Sequence, residues 1–362
     1  MQILKKITFR ILAVSNVVAI LLLLGVGYSG SFHPASFPTL SFVGLTFPLV
    51  LAVNVGFLVF WTVMKLRMCI LPIAGLLLAY TPVRTYIPFN FPHETPADAI
   101  KVMSYNVHLF LGWDEKGENI DSLLKYIEQQ DADILCLQEG KVPYEHLQAK
   151  VEKEMNRHYP YHSGVDVPGT LDHLVLYSKY PILHTEPISY EHSDALSVAY
   201  RVKIDTDTVT VINTHFLSTG LSTEERKSFN NLFDERLKAD SVTNTSRRLV
   251  SRLNGASQER AKEVDVVARY IEDHAGERMI LCGDFNDGPI SYTHRKLTRQ
   301  LRDAFVESGN GVGVTFHQSR LYVRIDHILI SPHWQSYNTM VDKSIKISDH
   351  YPVITYLKNH DK

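Results

Sequence analysis

The first quarter of the chain has no acidic residue, and the first one in the sequence is Glu94. Basic residues are also missing between Arg10 and Lys65. A charge-free stretch of this length is excluded from the surface of a soluble domain, which carries charged side chains at short intervals. One helical membrane span takes about 20 residues, so the stretch is long enough for more than one.

Cysteine is scarce, with three residues at Cys69, Cys136 and Cys282. Their spacing matches neither a disulfide framework nor a zinc site, so the sequence excludes both. Cys136 and Cys282 lie in short apolar runs that are typical of strands, and we expect both thiols to be small buried side chains. Internal repeats and low-complexity tracts are absent as well.

A strongly basic balance is lacking too. The chain has 37 basic and 39 acidic residues, and six of the basic ones but none of the acidic ones precede Glu94. The remainder therefore holds 31 basic and 39 acidic residues, a formal net charge of −8. A protein that binds nucleic acid tightly through its phosphates is usually basic, so this balance weighs against that class.

What the first quarter does contain is apolar runs. Residues 7–28, 40–64 and 68–83 predict three transmembrane helices, the last of them short. Positively charged loops favour the cytoplasm, so three spans place the rest of the chain outside it. If the third run only lies along the surface of the bilayer and does not cross it, the rest of the chain is cytoplasmic. A cleaved signal peptide over residues 1–28 is the competing interpretation, but no small-x-small cleavage site follows.

These runs predict a division of the chain into a membrane region (1–84), a linker (85–99) and a folded domain (100–358). Three prolines within the linker favour an extended backbone. We therefore expect a multi-pass protein of the cell membrane whose folded domain is extracytoplasmic.

Strand-like and helix-like patterns alternate after residue 100, which predicts an α/β domain. The segment 226–262 differs, with nine basic residues against four acidic ones. It lies largely within a predicted insertion, residues 218–258. A solvated helix pair explains this insertion, and a contact for an anionic substrate or for lipid headgroups is the alternative.

Polar side chains follow several of the predicted strands, where an α/β domain can present them to a cleft on a rigid backbone. Hydrolysis of a phosphate ester needs such residues, because hard divalent cations prefer carboxylate and amide oxygens and the attacking water needs a base. The candidates are Asn106, Glu139, His215, Asp284, Asn286, Asp326, Asp349 and His350.

In their order and local sequence these residues resemble the endonuclease/exonuclease/phosphatase superfamily, of the deoxyribonuclease I-like kind, in a membrane-tethered bacterial member. The matching segments are Met103-Ser104-Tyr105-Asn106-Val107, Leu137-Gln138-Glu139, Asn213-Thr214-His215-Phe216, Gly283-Asp284-Phe285-Asn286, Arg324-Ile325-Asp326-His327 and Ser348-Asp349-His350-Tyr351-Pro352. The resemblance implies a four-layer α/β/β/α sandwich, preceded here by two to three transmembrane helices. The polar segment 169–173 departs from the small apolar residues usual in the family.

The resemblance also implies residue roles and a cofactor, Mg²⁺ or Mn²⁺. Metal ligands are expected at Asn106, Glu139, Asp326 and Asp349. The catalytic residues are expected to be His215, Asp284, Asn286, Asp349 and His350. In the expected mechanism His350, supported by an acid, is the base, and the side chains of His215, Asp284 and Asn286 stabilise or protonate the reacting phosphate.

The predicted activity is metal-dependent phosphodiester hydrolysis by in-line attack of water, with an endonuclease as the first expectation. A phospholipid phosphodiesterase or phosphomonoesterase at the membrane surface is the alternative, and a catalytically silent binding domain is the remaining one. The expected partners are a phosphate-ester substrate, either nucleic acid or phospholipid, and the lipid bilayer. No protein partner is evident from the sequence.

Overall fold

A computed structural model describes residues 2–112, 117–167, 172–190, 195–219, 239–318 and 322–360. Within them, the helices are α1 (Gln2–Gly27), α2 (Phe47–Met64), α3 (Ile70–Leu78), α4 (Tyr80–Tyr86), α5 (Ile120–Gln130), α6 (Glu145–His158), α7 (Ala239–Asp273), α8 (Tyr292–Leu297) and α9 (Ala304–Ser308). The strands are β1 (Ile100–Asn106), β2 (Ile134–Gln138), β3 (Tyr161–Asp166), β4 (His173–Ser178), β5 (Ile182–Ile188), β6 (Leu196–Ile204), β7 (Asp207–His215), β8 (Met279–Asp284), β9 (Arg302–Asp303), β10 (Asp326–Ile330), β11 (Trp334–Val341) and β12 (Val353–Asn359).

The first quarter of the chain forms apolar helices of membrane-spanning length. Two segments, Lys6–Ser31 and Pro38–Met64, are long and apolar enough to cross a bilayer. The third predicted run is realised as two helical segments, Leu66–Leu78 and Tyr80–Tyr86, bent by 68° where they meet. The second helix begins at Phe47 rather than at residue 40, because residues 38–46 form 3₁₀ turns.

Polar side chains inside this bundle hold the first two helices together. The Trp61 indole N–H donates to the side-chain oxygen of Asn16 at 3.0 Å. The amide of Asn54 donates to the carbonyl of Ala19 at 2.9 Å. Between helices in lipid such hydrogen bonds are favoured, because the alternative is a polar group left in hydrocarbon.

The rest of the chain folds around two six-stranded sheets, ordered β11-β12-β1-β2-β4-β3 and β5-β6-β7-β8-β10-β9. Alternate residues of each strand face opposite sides of the sheet. In β1, Val102 faces the core between the two sheets, whereas Met103 faces the core under α5 and α6. Helix α7 covers the outer face of the second sheet, with Val264 and Val267 buried against it. The predicted four-layer α/β/β/α sandwich is confirmed.

Each sheet contains one parallel pair of strands, β1 with β2 and β7 with β8. Parallel strands end at the same edge, so polar residues that follow them meet there. A buried amide pair fastens the two edges together. The Gln138 side-chain amide donates to the Asn213 side-chain oxygen at 2.7 Å, and the Asn213 amide donates to the Leu137 carbonyl at 2.9 Å.

The predicted insertion is only partly described, because residues 220–238 lie outside the described ranges. Its second part belongs to the single helix α7, whose C-terminal half packs on the second sheet. The proposed division of the chain at residues 84, 99 and 358 stays a prediction.

Candidate active site

The chemistry-bearing side chains gather at the edge where the two parallel strand pairs end. Strand register explains part of this arrangement, because His215 of β7 and Asp326 of β10 both pair with Asp284 of β8. These three residues therefore form one row across neighbouring strands. Asn106 ends β1, while Glu139 follows β2 directly.

Asp284 lies at the centre of the group, and its side chain is almost completely buried. Its Oδ2 accepts a hydrogen bond from the Asn106 side-chain amide at 3.2 Å. The same oxygen lies 3.7 Å from Nε2 of His215 and 3.6 Å from Nε2 of His350. Two imidazoles and an amide therefore converge on one carboxylate oxygen.

The other ring nitrogen of each imidazole, Nδ1, contacts a second carboxylate. Nδ1 of His350 lies 2.8 Å from Oδ2 of Asp326, and Nδ1 of His215 lies 2.9 Å from Oδ1 of Asp172. A carboxylate at Nδ1 fixes the orientation of the ring and favours its protonated form. Asp172 was not among the predicted site residues, although the unusual polarity of residues 169–173 was its signal in the sequence.

Asp349 does not pair with the adjacent His350. Its Oδ1 lies 3.7 Å from Nδ1 of His108, and Oε2 of Glu139 lies 3.6 Å from the same nitrogen. The Asn106 amide donates to the other Glu139 oxygen at 3.1 Å. His108 was also missed in the sequence, since nothing nearby marks it except its place just after β1.

The backbone around these residues is unusual. His108, Leu109 and Phe110 all have positive φ, at 46°, 55° and 59°, and Glu139 has φ 51°. The Leu109 N–H donates to the Glu139 carbonyl at 3.0 Å, which locks the two turns together. Positive φ in residues other than glycine is strained, and such strain is concentrated at functional sites.

Asn286 contributes to this edge by positioning Asp284. Its backbone N–H donates to Oδ1 of Asp284 at 2.8 Å, and its side-chain amide donates to the Phe216 carbonyl at 2.8 Å. Ser348 plays a comparable part beside His350, because its hydroxyl donates to the Asn106 carbonyl at 2.7 Å and accepts from the His350 N–H at 3.1 Å.

The side chains present suit a hard divalent cation. Glu139, Asp349 and Asn106 offer carboxylate and amide oxygens, which Mg²⁺ and Mn²⁺ prefer. Ligand atoms of Asp284, Asp326 and His350 also lie within 4.8 Å of one another. Oδ1 of Asp326 is buried without a hydrogen-bond partner in the described part of the chain. Because Asp326 and Asp284 are already paired with His350, the set that fits the expected metal is Glu139, Asp349 and Asn106, whose two carboxylates converge beside Nδ1 of His108.

Electrostatics in the site favour charged histidines. Burial alone would lower the pKa of His215, but the charge of Asp172 and its hydrogen bond raise that pKa to about 10. Burial would also lower the pKa of His350, yet the charges of Asp326 and Asp284 raise it well above its usual range. Both rings therefore favour the imidazolium form at neutral pH.

The two carboxyls respond in opposite directions. Burial raises the pKa of Asp284 to about 6, with the nearby charge of Asp326 acting in the same sense and that of His350 against it. Burial would also raise the pKa of Glu139, but the nearby His108 ring and the charge of His215 lower it to about 2. Glu139 is therefore a permanent anion, whereas Asp284 exchanges protons near neutrality.

A model of the Endonuclease/Exonuclease/phosphatase family matches residues 103–350, more than half of the chain. The chain belongs to this family. Residues 9–86 match a second model, described as a domain of unknown function (DUF8431). No similar sequence was found among curated proteins.

Solved structures agree on the fold. A humanized TDP2 from D. rerio with 14 mutations is 14% identical, covers 72% of this chain and 99% of its own, and superposes with a TM-score of 0.52. An endonuclease/exonuclease/phosphatase from Beutenbergia cavernae is 16% identical, covers 72% of each chain, and has a TM-score of 0.50. Together with the family match, the site supports the predicted class of activity, a metal-dependent phosphoesterase.

Proposed function

We propose that the chain hydrolyses phosphodiesters at a membrane surface by attack of water on phosphorus. The observation that carries this proposal is the position of Asp284, whose Oδ2 lies within 3.7 Å of two imidazole nitrogens. An anionic phosphate needs cationic groups around it and a proton acceptor for the attacking water. This edge of the two sheets supplies both.

The directions of the pKa shifts support one order of proton transfers. Because burial raises the pKa of Asp284 to about 6, its carboxylate is a suitable acceptor for the proton of water at neutral pH. His350 favours the imidazolium form, so we assign the base to Asp284 rather than to His350. The His350 imidazolium then holds a non-bridging phosphate oxygen, and that of His215 protonates the leaving oxygen.

Glu139, Asn106 and Asp349 are the residues that would hold the divalent cation. When bound, such a cation neutralises phosphate charge and polarises the ester. The low pKa of Glu139 keeps its carboxylate ionised over the whole physiological range. Asn286 holds Asp284 in place through its backbone N–H.

Contacts between the catalytic domain and the bundle support an extracytoplasmic position for that domain. In the loop between α1 and α2, Nε2 of His33 lies 3.1 Å from Oδ2 of Asp265. Just before the linker, the Thr85 carbonyl accepts a hydrogen bond from Arg324. The chain ends of the first and third spans therefore meet the catalytic domain on one side of the bilayer. Lys65, which follows the second span, then lies on the other side, and the preference of basic loops for the cytoplasm supports an extracytoplasmic domain.

Proximity of the site to the bundle supports a membrane-surface substrate. Asp287, the residue after Asn286, lines a small cavity together with Phe42 and Gly44 of the loop between α1 and α2. The net charge of −8 after residue 93 weighs against nucleic acid. The endonuclease activity expected from the sequence stays a prediction.

The test uses the full chain in lipid nanodiscs with Mg²⁺ or Mn²⁺. Phosphatidylglycerol and phosphatidylcholine vesicles form one arm, and supercoiled plasmid forms the other. His215→Ala is compared with His184→Ala, a matched change at an exposed histidine of β5. Lipid hydrolysis that only His215→Ala abolishes is the expected result. Plasmid nicking without lipid hydrolysis would replace the proposal with the endonuclease, and no hydrolysis of either substrate would refute both.

A further inference from the structure

A cavity of about 290 Å³ lies between the membrane helices and the catalytic domain, and none of the active-site carboxylates or histidines lines it. One wall is formed by the end of α1 and by α4, and the other by α8 and the residues that follow it. We infer that this cavity binds the phosphate headgroup of an anionic phospholipid. The inference is independent of the proposed hydrolytic activity.

The membrane-side wall is closely packed. Gly27 lies at the end of α1, where an added Cβ would come within 2.8 Å of Pro82 of α4. Gly30 lies so near the Ser291 backbone, which precedes α8, that a side chain there would collide with it. The cavity is therefore built from segments in fixed contact.

The position of the cavity at the edge of the bilayer suits a lipid headgroup. The first candidate span ends at Ser31, so Gly27 and Gly30 lie where the chain leaves the hydrocarbon. Thr81 and Thr85 of α4 line the same wall and carry hydroxyls that can donate to phosphate oxygens. Hydroxyls and helix ends at this depth meet the phosphate layer of the bilayer.

The opposite wall is cationic. Arg295 and Arg299 line the cavity and are exposed, and none of the described residues that line it is acidic. Within the described ranges no ion pair joins either guanidinium to a carboxylate. Neighbouring Lys296 differs, because its ammonium lies 3.7 Å from Asp265. Arginine binds phosphate oxygens in pairs, and basic pockets beside membrane helices take anionic headgroups.

A lipid rather than a soluble phosphate is the occupant because membrane helices form one wall. A soluble ion would meet the two arginines without using that wall. A phospholipid places its phosphate between Arg295 and Arg299, while its acyl chains extend along α1 and α4. Such a ligand would hold the catalytic domain at a fixed height on the membrane.

The experiment measures lipid binding to the full chain in detergent by native mass spectrometry. Phosphatidylglycerol is compared with phosphatidylcholine, which carries no net charge, and glycerol 1-phosphate serves as the soluble competitor. The test variant is Arg295→Gln/Arg299→Gln. The control is Lys153→Gln/Arg157→Gln, which removes two exposed cations from α6 on the opposite outer layer. Arg295→Lys/Arg299→Lys keeps the charge and reports on folding.

We expect phosphatidylglycerol to bind the unaltered chain and the control variant with the same affinity. Its affinity for the glutamine variant should be lower by about tenfold or more. The lysine variant should recover part of the loss. Equal weakening in the control, or no loss in the glutamine variant, would overturn the inference. Displacement of the lipid by equimolar glycerol 1-phosphate would overturn the choice of a lipid. Hydrolysis of a soluble diester should be the same in all variants, so a failure of the proposed activity is seen separately.

Discussion

Asp172→Asn is the most informative change at the active site, because it removes one carboxylate oxygen and leaves the shape of the side chain. Oδ1 of Asp172 lies 2.9 Å from Nδ1 of His215, and the Asp172 side chain is only 12% exposed. Although burial opposes it, the pKa of His215 is raised from 6.5 to about 10. At 1.36 kcal/mol per unit, that is about 5 kcal/mol in favour of the imidazolium.

Asp172 supplies the largest share of that stabilisation, and Asp284 and Glu139 supply the rest. Loss of one opposite charge at this distance lowers a pKa by about 1–3 units. The imidazolium of the variant is therefore lost at a lower pH, and the proton donor for the leaving oxygen disappears earlier. With a loss of about two units, about half of the variant's His215 is still protonated at pH 8. We therefore expect kcat to fall about twofold at pH 8 and about fiftyfold at pH 10, with the alkaline limb of the pH profile moving toward acid by about two units.

The assay is the pH dependence of kcat for diester hydrolysis by the full chain between pH 5 and 10. Asp166→Asn is the matched control, because Asp166 lies 2.7 Å from Nδ1 of His173 in an exposed Asp–His pair outside the site. The control should keep both rate and profile. An Asp172→Asn protein with an unshifted alkaline limb would refute the assignment of His215 as an imidazolium donor, even if its rate fell.

Three further predictions concern packing, acid stability and metal. Gly44→Ala places a Cβ against the Ile290 carbonyl and should lower the thermal midpoint in detergent by several degrees, whereas Gly56→Ala, in open space, should not. Burial would raise the pKa of Asp303, but the hydrogen bond from His294 at 2.8 Å and the His327 ring, whose Nδ1 lies 3.5 Å away, hold that pKa well below its usual range. A carboxyl group with a depressed pKa stabilises the fold above about pH 4, and this stabilisation is lost as the pH falls. The free energy of unfolding of Asp303→Asn should therefore be about 3–5 kcal/mol lower than that of the unaltered chain at pH 7, and the difference between the two proteins should become smaller below about pH 4. EDTA should abolish hydrolysis and Mg²⁺ or Mn²⁺ should restore it, and full activity in EDTA would contradict the role given to the carboxylates.

Much of the architecture could be predicted from the sequence because it depends on patterns among residues that are close together in the chain. The absence of charge between Arg10 and Lys65 is a property of composition, and it predicted membrane helices without any tertiary information. Asn106 and Glu139 follow strands that are parallel neighbours, so the pattern of strands and helices alone indicated that they meet at one edge.

Which carboxylate pairs with which histidine across the site could not be predicted from the sequence. Asp349 precedes His350 directly, but adjacent side chains diverge, and the partner of His350 is Asp326, 24 residues away. The partner of His215 is Asp172, which is 43 residues away on a segment without a family pattern. Register between β8 and its neighbours fixes these distances, and register depends on the packed sheet as a whole.

The sequence by itself determined that the first quarter of this chain forms apolar helices of membrane-spanning length, that the family domain is an α/β sandwich, and which residue types lie at the candidate site. Only the tertiary structure decided which carboxylate holds which imidazole, and that the bundle and the catalytic domain enclose a cationic cavity. The physical reason is range. Hydrophobic period and strand ends are local, whereas the pKa of His215 and the cavity beside Arg295 arise from groups brought together by folding.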